Sequence, residues 1–301
     1  MNPKLIMLDT DIGPDCDDAA ALALLNMYAD KGWCQVLSVT HCTSSPYGVG
    51  AIRAIDQWYG HDYPVGTMKR RGFLVESQCL RYSKALSETV APSLRDAGDA
   101  VSLMRDILAR QADQSVHLVA IGPLRNIADL LDADEALVNR KCASFTLMAG
   151  CFPPRDYKGW LPQVEWNIEM DVDAAHTVFD KWHGKTTLCG WECGVCVPCG
   201  GPMREKLPPA HPVRMAYQLH NKGEDRPSWD LLTVRHACVP EAYGTAESAP
   251  GQITLSDKGE TSFTPDPQGR FHIVEITGDP AVIADELNDY LCKSGEDERH
   301  V

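Results

Sequence analysis

Short apolar runs alternate with segments of helical spacing along most of this chain, and no other feature of the sequence limits its fold as strongly. Four runs have the length and composition of buried strands: residues 5–8, 36–40, 116–121 and 144–148. Helical spacing lies between or after them, at residues 17–29, 49–59, 101–110 and 126–131. This alternation predicts an α/β fold with a mostly parallel central sheet. In such sheets the ligand binds at the carboxyl ends of the strands, so the residues after each strand are the first candidates for function.

The chain has 301 residues and shows no linker, low-complexity tract or fixed-period repeat. We therefore expect a single domain over residues 1–301, with a sizeable core. Residues 193–224 are rich in Gly and Pro and predict irregular structure. The C-terminal region predicts a pair of strands followed by a helix at residues 280–292, and the polar tail 296–301 is expected to fray.

The charge and cysteine content exclude several classes of protein. The formal net charge is −14, which disfavours binding to nucleic acid or to an anionic membrane. The longest apolar run, residues 19–25, is far too short to span a bilayer, and the N-terminus lacks the pattern of a signal peptide. We expect a cytoplasmic protein whose 12 cysteines are mostly reduced thiols.

An acidic cluster directly follows the first predicted strand. Five carboxylates fall within ten residues there: Asp9, Asp11, Asp15, Asp17 and Asp18. Like charges this dense repel one another unless a cation or protons offset them. Hard oxygen ligands indicate Ca²⁺ or Mg²⁺. The start of a helix explains one or two of these acids, but not the whole cluster.

Two known metal or phosphate motifs fit this cluster poorly. An EF-hand loop counted from Asp9 would need a bidentate Glu at its twelfth position, where this chain has Ala20. A haloacid-dehalogenase-type phosphatase uses the pattern Asp-x-Asp-x-Thr after its first strand. The chain begins this pattern with Asp9 and Asp11, but Gly13 occupies the position of the Thr.

The cluster resembles the N-terminal motif of the nucleoside hydrolase family of the inosine/uridine-preferring type, which is normally Asp-x-Asp-Pro-Gly-x-Asp-Asp-Ala. Residues 11–19 read Asp-Ile-Gly-Pro-Asp-Cys-Asp-Asp-Ala, with Ile for Pro and two additional residues. Residues 120–128 are similar to the family's Gly-Pro-Leu-Thr-Asn-Ile-Ala turn, and 165–168 to its Glu-Phe-Asn-Ile motif. Trp229-Asp230 lies where the family has His-Asp. Four motifs in the family's order make the resemblance specific.

The resemblance implies a fold, a reaction and a cofactor. The fold is a single α/β domain with a Rossmann-like core, and the reaction is hydrolysis of a ribonucleoside's N-glycosidic bond to ribose and free base. The cofactor is Ca²⁺, held by Asp11, Asp18, Asp230 and the backbone carbonyl of Ile121. Asp11 would also be the catalytic general base. The family's habit further suggests a homodimer or homotetramer.

The resemblance also implies which residues bind the sugar. Glu165 and Asn167 would hold ribose hydroxyls. Either Asp15 or Asp17 would hold the 2′-hydroxyl. Spacing from Asp11 aligns Asp15 with the family's residue, whereas the start of the helix aligns Asp17, and we favour the helix register.

Three departures from the family bear on substrate binding. The family's sugar-binding Asn after the second strand is absent, and Thr43 or Ser44 is the candidate replacement. A second Asn, normally about six residues before the Glu, is also absent. Trp229 replaces a His that can protonate the leaving base in the family. Trp offers a stacking face to a base but no titratable proton.

Other features leave alternatives open. Cys189, Cys193, Cys196 and Cys199 have a spacing that suits zinc or an iron–sulfur cluster, or they are ordinary thiols. Trp160, Trp166 and Trp191 either form aromatic walls with Trp229 or pack in the core. The lost Asn and His positions make a non-hydrolytic ribose- or nucleoside-binding protein the main rival to an enzyme, ahead of the phosphatase.

Overall fold

The computed structural model describes residues 3–75, 80–154 and 157–293. Its strands are β1 Lys4–Thr10, β2 Cys34–His41, β3 Val65–Thr67, β4 Gly98–Asp99, β5 Val116–Ala120, β6 Cys142–Met148, β7 Lys185–Cys189, β8 Pro198–Cys199, β9 Arg226–Pro227, β10 Thr245–Glu247, β11 Gly251–Leu255, β12 Thr261–Pro265 and β13 Phe271–Ile276. Its helices are α1 Asp17–Asp30, α2 Gly48–Trp58, α3 Ser83–Thr89, α4 Ala100–Arg110, α5 Arg125–Lys141, α6 Trp166–Met170, α7 Val172–Lys181, α8 Trp191–Val195, α9 Met203–Lys206, α10 Pro212–Asn221, α11 Trp229–Cys238 and α12 Pro280–Leu291.

The predicted α/β fold is confirmed. Within the described residues, 11 strands form one sheet, ordered β12-β11-β13-β7-β6-β5-β1-β2-β3-β4, with β10 paired to β13. The run from β13 to β4 is parallel throughout, and in the described part of this sheet β10, β11 and β12 pair antiparallel. Strands β8 and β9 form a separate antiparallel pair. The sheet and its helices form a single α/β domain, and the carboxyl ends of the parallel strands lie along one edge of the sheet.

The central strand β1 lies at the point where the strand order reverses. It pairs with β2 on one side and with β5 on the other. The chain continues from β1 to β2 and from β5 to β6, so the connections after β1 and β5 run toward opposite edges of the sheet. This divergence opens a crevice beyond the carboxyl end of β1. The acidic cluster begins there.

Both faces of the sheet are covered by apolar layers. Along β1, Ile6 and Leu8 belong to one buried cluster and Met7 to the other, as the alternation of side chains in a strand requires. Helices α1, α2, α11 and α12 contribute to the first cluster, and α4, α5 and α7 to the second. Helix α1 is buried along almost its whole length. Its first turn consequently carries Asp17 and Asp18 into the protein interior.

Two predictions of local structure were wrong in extent. Residues 193–224 contain two whole helices, α9 and α10, because Pro212 occupies the first turn of α10, where its missing N–H costs nothing. Helix α5 continues ten residues beyond the predicted end at residue 131, across a kink at Asp134. The predicted helix at 280–292 is confirmed as α12. The tail 296–301 lies outside the described residues.

Candidate active site

A cavity of about 570 Å³ lies beyond the carboxyl ends of β1, β5 and β6. Asp11 follows β1, Ile121 follows β5, and Met148 ends β6, and all three line this cavity. Among the described residues, six carboxyl groups line it: Asp11, Asp15, Asp17, Asp18, Glu165 and Asp230. Most of the carboxylates singled out in the sequence are thus brought together, although up to 219 residues separate them along the chain.

Three buried carboxylates form the centre of the site. One oxygen each of Asp17, Asp18 and Asp230 lies within 4.8 Å of the others. They occupy the first turns of α1 and α11, and the backbone N–H of Asp230 donates to Asp17 Oδ2 at 3.1 Å. Burial raises the pKa of all three carboxyls well above its usual value, and repulsion among them raises it further. A cation between them would remove this penalty.

Asp11 lies beside this group in the same cavity and is 4% exposed. Burial raises its pKa to about 7, with smaller contributions from neighbouring carboxylates such as Asp15. Gly122 allows this packing, because a Cβ there would lie 2.7 Å from Asp11 Oδ1 and 2.8 Å from its backbone nitrogen. The glycine of the 120–128 turn is therefore required by the close approach of Asp11.

Asp9 has a different place from the other acids of the cluster. It is 1% exposed, and its Oδ1 accepts hydrogen bonds from Asn126 Nδ2 at 2.8 Å and from Thr40 Oγ1 at 2.5 Å. Asp9 does not line the cavity. It connects β1, β2 and α5 beneath the site, which explains the Asn of the 120–128 turn.

The arrangement fits a hard divalent cation. Asp17, Asp18 and Asp230 supply convergent, buried carboxylate oxygens, and Asp11 and Ile121 line the same wall. Oxygen donors of this kind are the preferred ligands of Ca²⁺ and Mg²⁺. Asp17 belongs to the buried group, although the sequence analysis assigned it to the sugar.

Glu165 and Asn167 face the cavity from the far side of β6. Glu165 caps α6: its Oε1 accepts from the N–H of Asn167 at 2.8 Å, and its Oε2 from Gly150 N–H at 3.2 Å. Asn167 Nδ2 donates to the Met148 carbonyl at 3.0 Å. Burial raises the pKa of Glu165 to about 7. These bonds fix both side chains at the edge of the cavity.

Asp15 lies at the rim and is held by a cation. Its two oxygens each accept from Arg226 Nε at 3.0 Å, and His220 Nε2 lies 3.4 Å from Oδ1. The side chain of Asp15 is 25% exposed, whereas Asp17 is 2% exposed. The two additional residues of the motif therefore separate a rim carboxylate from a buried one.

Thr43 and Ser44 lie outside the main cavity. They line a neighbouring cavity of about 410 Å³ at the ends of β2 and β3. Thr43 Oγ1 is 3.0 Å from His41 Nε2, and Ser44 Oγ donates to the Arg70 carbonyl.

Residues 6–281 match the model of the family described as inosine-uridine preferring nucleoside hydrolase.

The chain belongs to the nucleoside hydrolase family.

Curated and solved relatives agree with this assignment. The pyrimidine-specific ribonucleoside hydrolase RihA of Shewanella sp. (strain ANA-3) is 42% identical over 101 residues, which are 33% of this chain and 30% of that protein. The matched segment thus spans about a third of this relative. The inosine-uridine preferring nucleoside hydrolase of Bacillus anthracis superposes with a TM-score of 0.73 at 18% identity, over 97% of this chain and 99% of that one. The purine-preferring ribonucleoside hydrolase from Gardnerella vaginalis gives 0.75 at 17% identity, with the same coverage. These structures have the same fold.

An aromatic wall occupies the position where the nucleoside hydrolase motif has its His. Trp191 and Trp229 line the cavity with ring centroids 6.3 Å apart, and Trp229 Nε1 donates to the Trp191 carbonyl at 2.7 Å. Trp160 meets Trp191 edge-on at 5.3 Å and is 72% exposed. Trp166 also lines the cavity. The aromatic-wall interpretation therefore fits Trp166, Trp191 and Trp229, whereas Trp160 is exposed and only contacts Trp191.

Three cavity residues were missed by the sequence analysis: Arg81, His220 and Arg226. No motif marks them, because the sequence around each indicates only a helix or a turn.

The four cysteines of residues 189–199 form no metal-ligating group within the ranges described. Cys189, Cys193 and Cys199 are buried, Cys196 is exposed, and their thiols do not converge. None of the helices that the structure describes has the length and apolarity needed to cross a bilayer.

Proposed function

We propose that this protein is a Ca²⁺-dependent hydrolase that cleaves the N-glycosidic bond of a ribonucleoside to give ribose and the free base. One observation carries the proposal: in a chain of the nucleoside hydrolase family, buried carboxylates converge at the sheet's switch point and share a cavity with Glu165 and Asn167. The cavity volume of about 570 Å³ suits a small molecule of nucleoside size.

The cation would be held by Asp11, Asp18, Asp230 and the Ile121 carbonyl, next to Asp17. When bound, it lowers the pKa of the attacking water and orients that water together with the ribose hydroxyls. Asp11 takes the proton from the water as general base. The transition state resembles an oxocarbenium ion, and the proton leaves because the water oxygen becomes positively charged as its bond to C1′ forms.

The remaining residues hold the substrate. Glu165 and Asn167 accept and donate hydrogen bonds to ribose hydroxyls, with Asp17 next to the 2′-hydroxyl and Asp15 at the rim. Trp191 and Trp229 offer flat faces against which the base stacks. Thr43 and Ser44 lie in the neighbouring cavity and therefore take part only if that cavity opens toward the sugar.

A reducing-sugar assay on purine, pyrimidine and modified ribonucleosides tests the proposal. The active-site variant is Asp11→Ala. Its control is Asp285→Asn, which removes the charge of a carboxylate on the exposed face of α12. Ribose release by wild type and by the control supports the proposal. If folded, calcium-loaded protein releases no ribose from any substrate of the panel but binds nucleoside in calorimetry, it is a binding protein instead. Phosphate release from a phosphomonoester that depends on Asp9 would identify a phosphatase.

The proposal extends to the assembly and its setting. We propose one domain over residues 1–301, a homodimer or homotetramer, and a cytoplasmic location. Light scattering on the purified chain measures the oligomer, and one calorimetric unfolding transition would support the single domain.

A further inference from the structure

Cationic side chains occupy one wall of the otherwise acidic cavity. Arg81, His220 and Arg226 line the same cavity as the six carboxyl groups, in a chain whose net charge is −14. The catalytic centre described above accounts for none of the three. Arg226 lies against Trp229, which stands where the family motif has a His that can protonate a leaving base.

Arg226 is held in place by Asp15 and by the ring of Trp229. Its Nε donates to both oxygens of Asp15 at 3.0 Å, and its Nη2 donates to Asp15 Oδ2. The guanidinium carbon lies 5.2 Å from the centroid of the Trp229 ring. A pair of this geometry fixes the plane of the guanidinium. In the described ranges 3–75, 80–154 and 157–293, no residue accepts a hydrogen bond from Nη1.

His220 is a poor source of protons for the leaving base. Its side chain is 8% exposed, and among the described residues its Nδ1 has no hydrogen-bond partner. The pKa of His220 is lowered, mainly by burial. The charge of Asp15 raises this pKa, whereas the charges of Arg226 and Arg81 lower it further. Burial therefore favours the uncharged imidazole, and the arginines carry the permanent positive charge of this wall.

We propose that Arg226 binds the departing base and stabilises it as an anion, so that this enzyme favours ribonucleosides whose bases are acidic. The proposal rests on the proposed hydrolase activity. A base that stacks on Trp191 or Trp229 lies within reach of the guanidinium, because the guanidinium already contacts the Trp229 ring. Arginine keeps its charge at every working pH and forms fixed, planar hydrogen bonds, which suits an anionic heterocycle.

The step balances without a protein acid. The water oxygen forms a bond to C1′, and one water proton passes to the carboxylate of Asp11. The bond between C1′ and the base nitrogen breaks, and its electron pair stays on that nitrogen. The anionic base is held by Arg226 and takes up a proton from solvent after release. Asp11 returns its proton to solvent, so the sum is one nucleoside and one water giving ribose and the neutral base.

The test measures how kcat depends on the acidity of the leaving group. The substrates are xanthosine, inosine, uridine, adenosine and p-nitrophenyl riboside, whose nitrophenolate departs without assistance. The variants are Arg226→Gln and Arg226→Lys. The control is Arg204→Gln, which removes an exposed arginine that pairs with Glu224. Asp15→Asn breaks the same ion pair as Arg226→Gln but keeps the guanidinium.

We expect wild type to cleave xanthosine fastest among the natural nucleosides. Arg226→Gln should lose about 10²-fold in kcat on the nucleosides of weakly acidic bases, as removal of one preorganised donor does, and less than about tenfold on p-nitrophenyl riboside. Arg226→Lys should recover part of the loss, and Arg204→Gln should match wild type. Any loss in Asp15→Asn should be equal for all substrates.

Other outcomes overturn the inference. An equal loss on every substrate in Arg226→Gln, matched by Asp15→Asn, would give Arg226 a purely structural role. If Arg226→Gln does not fold, the Arg226→Lys variant decides. A dependence of kcat on leaving-group acidity equal to that of wild type would then overturn the inference in the same way. Absence of ribose release by wild type from all five substrates, including p-nitrophenyl riboside, would instead refute the proposed hydrolase activity itself.

Discussion

Replacing Asp230 by Asn should make the metal-free protein more stable at pH 8, although it removes a residue of the active site. Asp17, Asp18 and Asp230 place carboxylate oxygens within 4.8 Å of one another. Two ionised carboxylates at that separation repel by about 3.5 kcal/mol at an effective dielectric constant of about 20. Asp230 has two such neighbours. The metal-free protein escapes part of this cost by retaining protons, so we expect a net gain of about 2–4 kcal/mol.

Thermal unfolding measures this gain. For a chain of this size, about 1 kcal/mol shifts the melting temperature by about 2 °C, so chelated Asp230→Asn should melt about 4–8 °C above chelated wild type at pH 8. At pH 4.5 the wild-type carboxyls hold more protons, because burial raises their pKa, and the difference should shrink. The exposed Asp285→Asn serves as control and should melt with wild type at both pH values.

Calcium should reverse the order of the two proteins. At a concentration of 1,000 times its Kd, a ligand stabilises the folded state by about 4.1 kcal/mol, which exceeds the expected advantage of the variant, and only wild type should gain this at pH 8. A chelated Asp230→Asn variant that melts at or below wild type at pH 8 would refute the reasoning, because the three carboxylates would then not repel one another in the folded protein.

Three further predictions concern the same site. Asp11→Ala should reduce ribose release by at least about 10²-fold while the circular dichroism spectrum stays unchanged; near-normal turnover would end its assignment as general base. The folded-state pKa values of Asp11 and Glu165 are raised to about 7, so the metal-free protein should lose stability as the pH rises from 4 to 7. Melting curves of chelated protein across that range measure this loss. A gain in stability over the same range would contradict these pKa shifts. Trp229→Leu should raise KM for nucleosides about tenfold or more while calorimetric calcium affinity stays unchanged, and an unaltered KM would remove Trp229 from the base-binding wall.

The fold could be predicted from the sequence because its strands and helices have distinct apolar periods. The predicted strand 36–40 lies inside β2, and the predicted strand 116–121 ends one residue after β5. The predicted helix 17–29 ends one residue before α1 does. Pattern alone failed at residues 193–224, where Gly and Pro suggested irregular structure. A proline at the first turn of a helix favours that helix, so Pro212 begins α10 instead of interrupting it.

The site was predictable where a motif carries it and unpredictable where tertiary contacts do. The acidic run and Asp230 were found because each matches a family pattern at the start of a helix. The choice between Asp15 and Asp17 depends on a loop whose conformation follows from a partner 211 residues away, Arg226. The segment after β2 matched no family pattern, which is why Thr43 and Ser44 were expected in a cavity that they do not line.

The most direct test of this account is to measure calcium occupancy and ribose release in one titration. Chelated protein is titrated with Ca²⁺, binding is followed by calorimetry, and ribose release from a substrate of the panel is assayed in the same samples. The account predicts one high-affinity site per chain, with the hydrolysis rate rising in proportion to its occupancy. Full ribose release by protein that holds no divalent cation would contradict it.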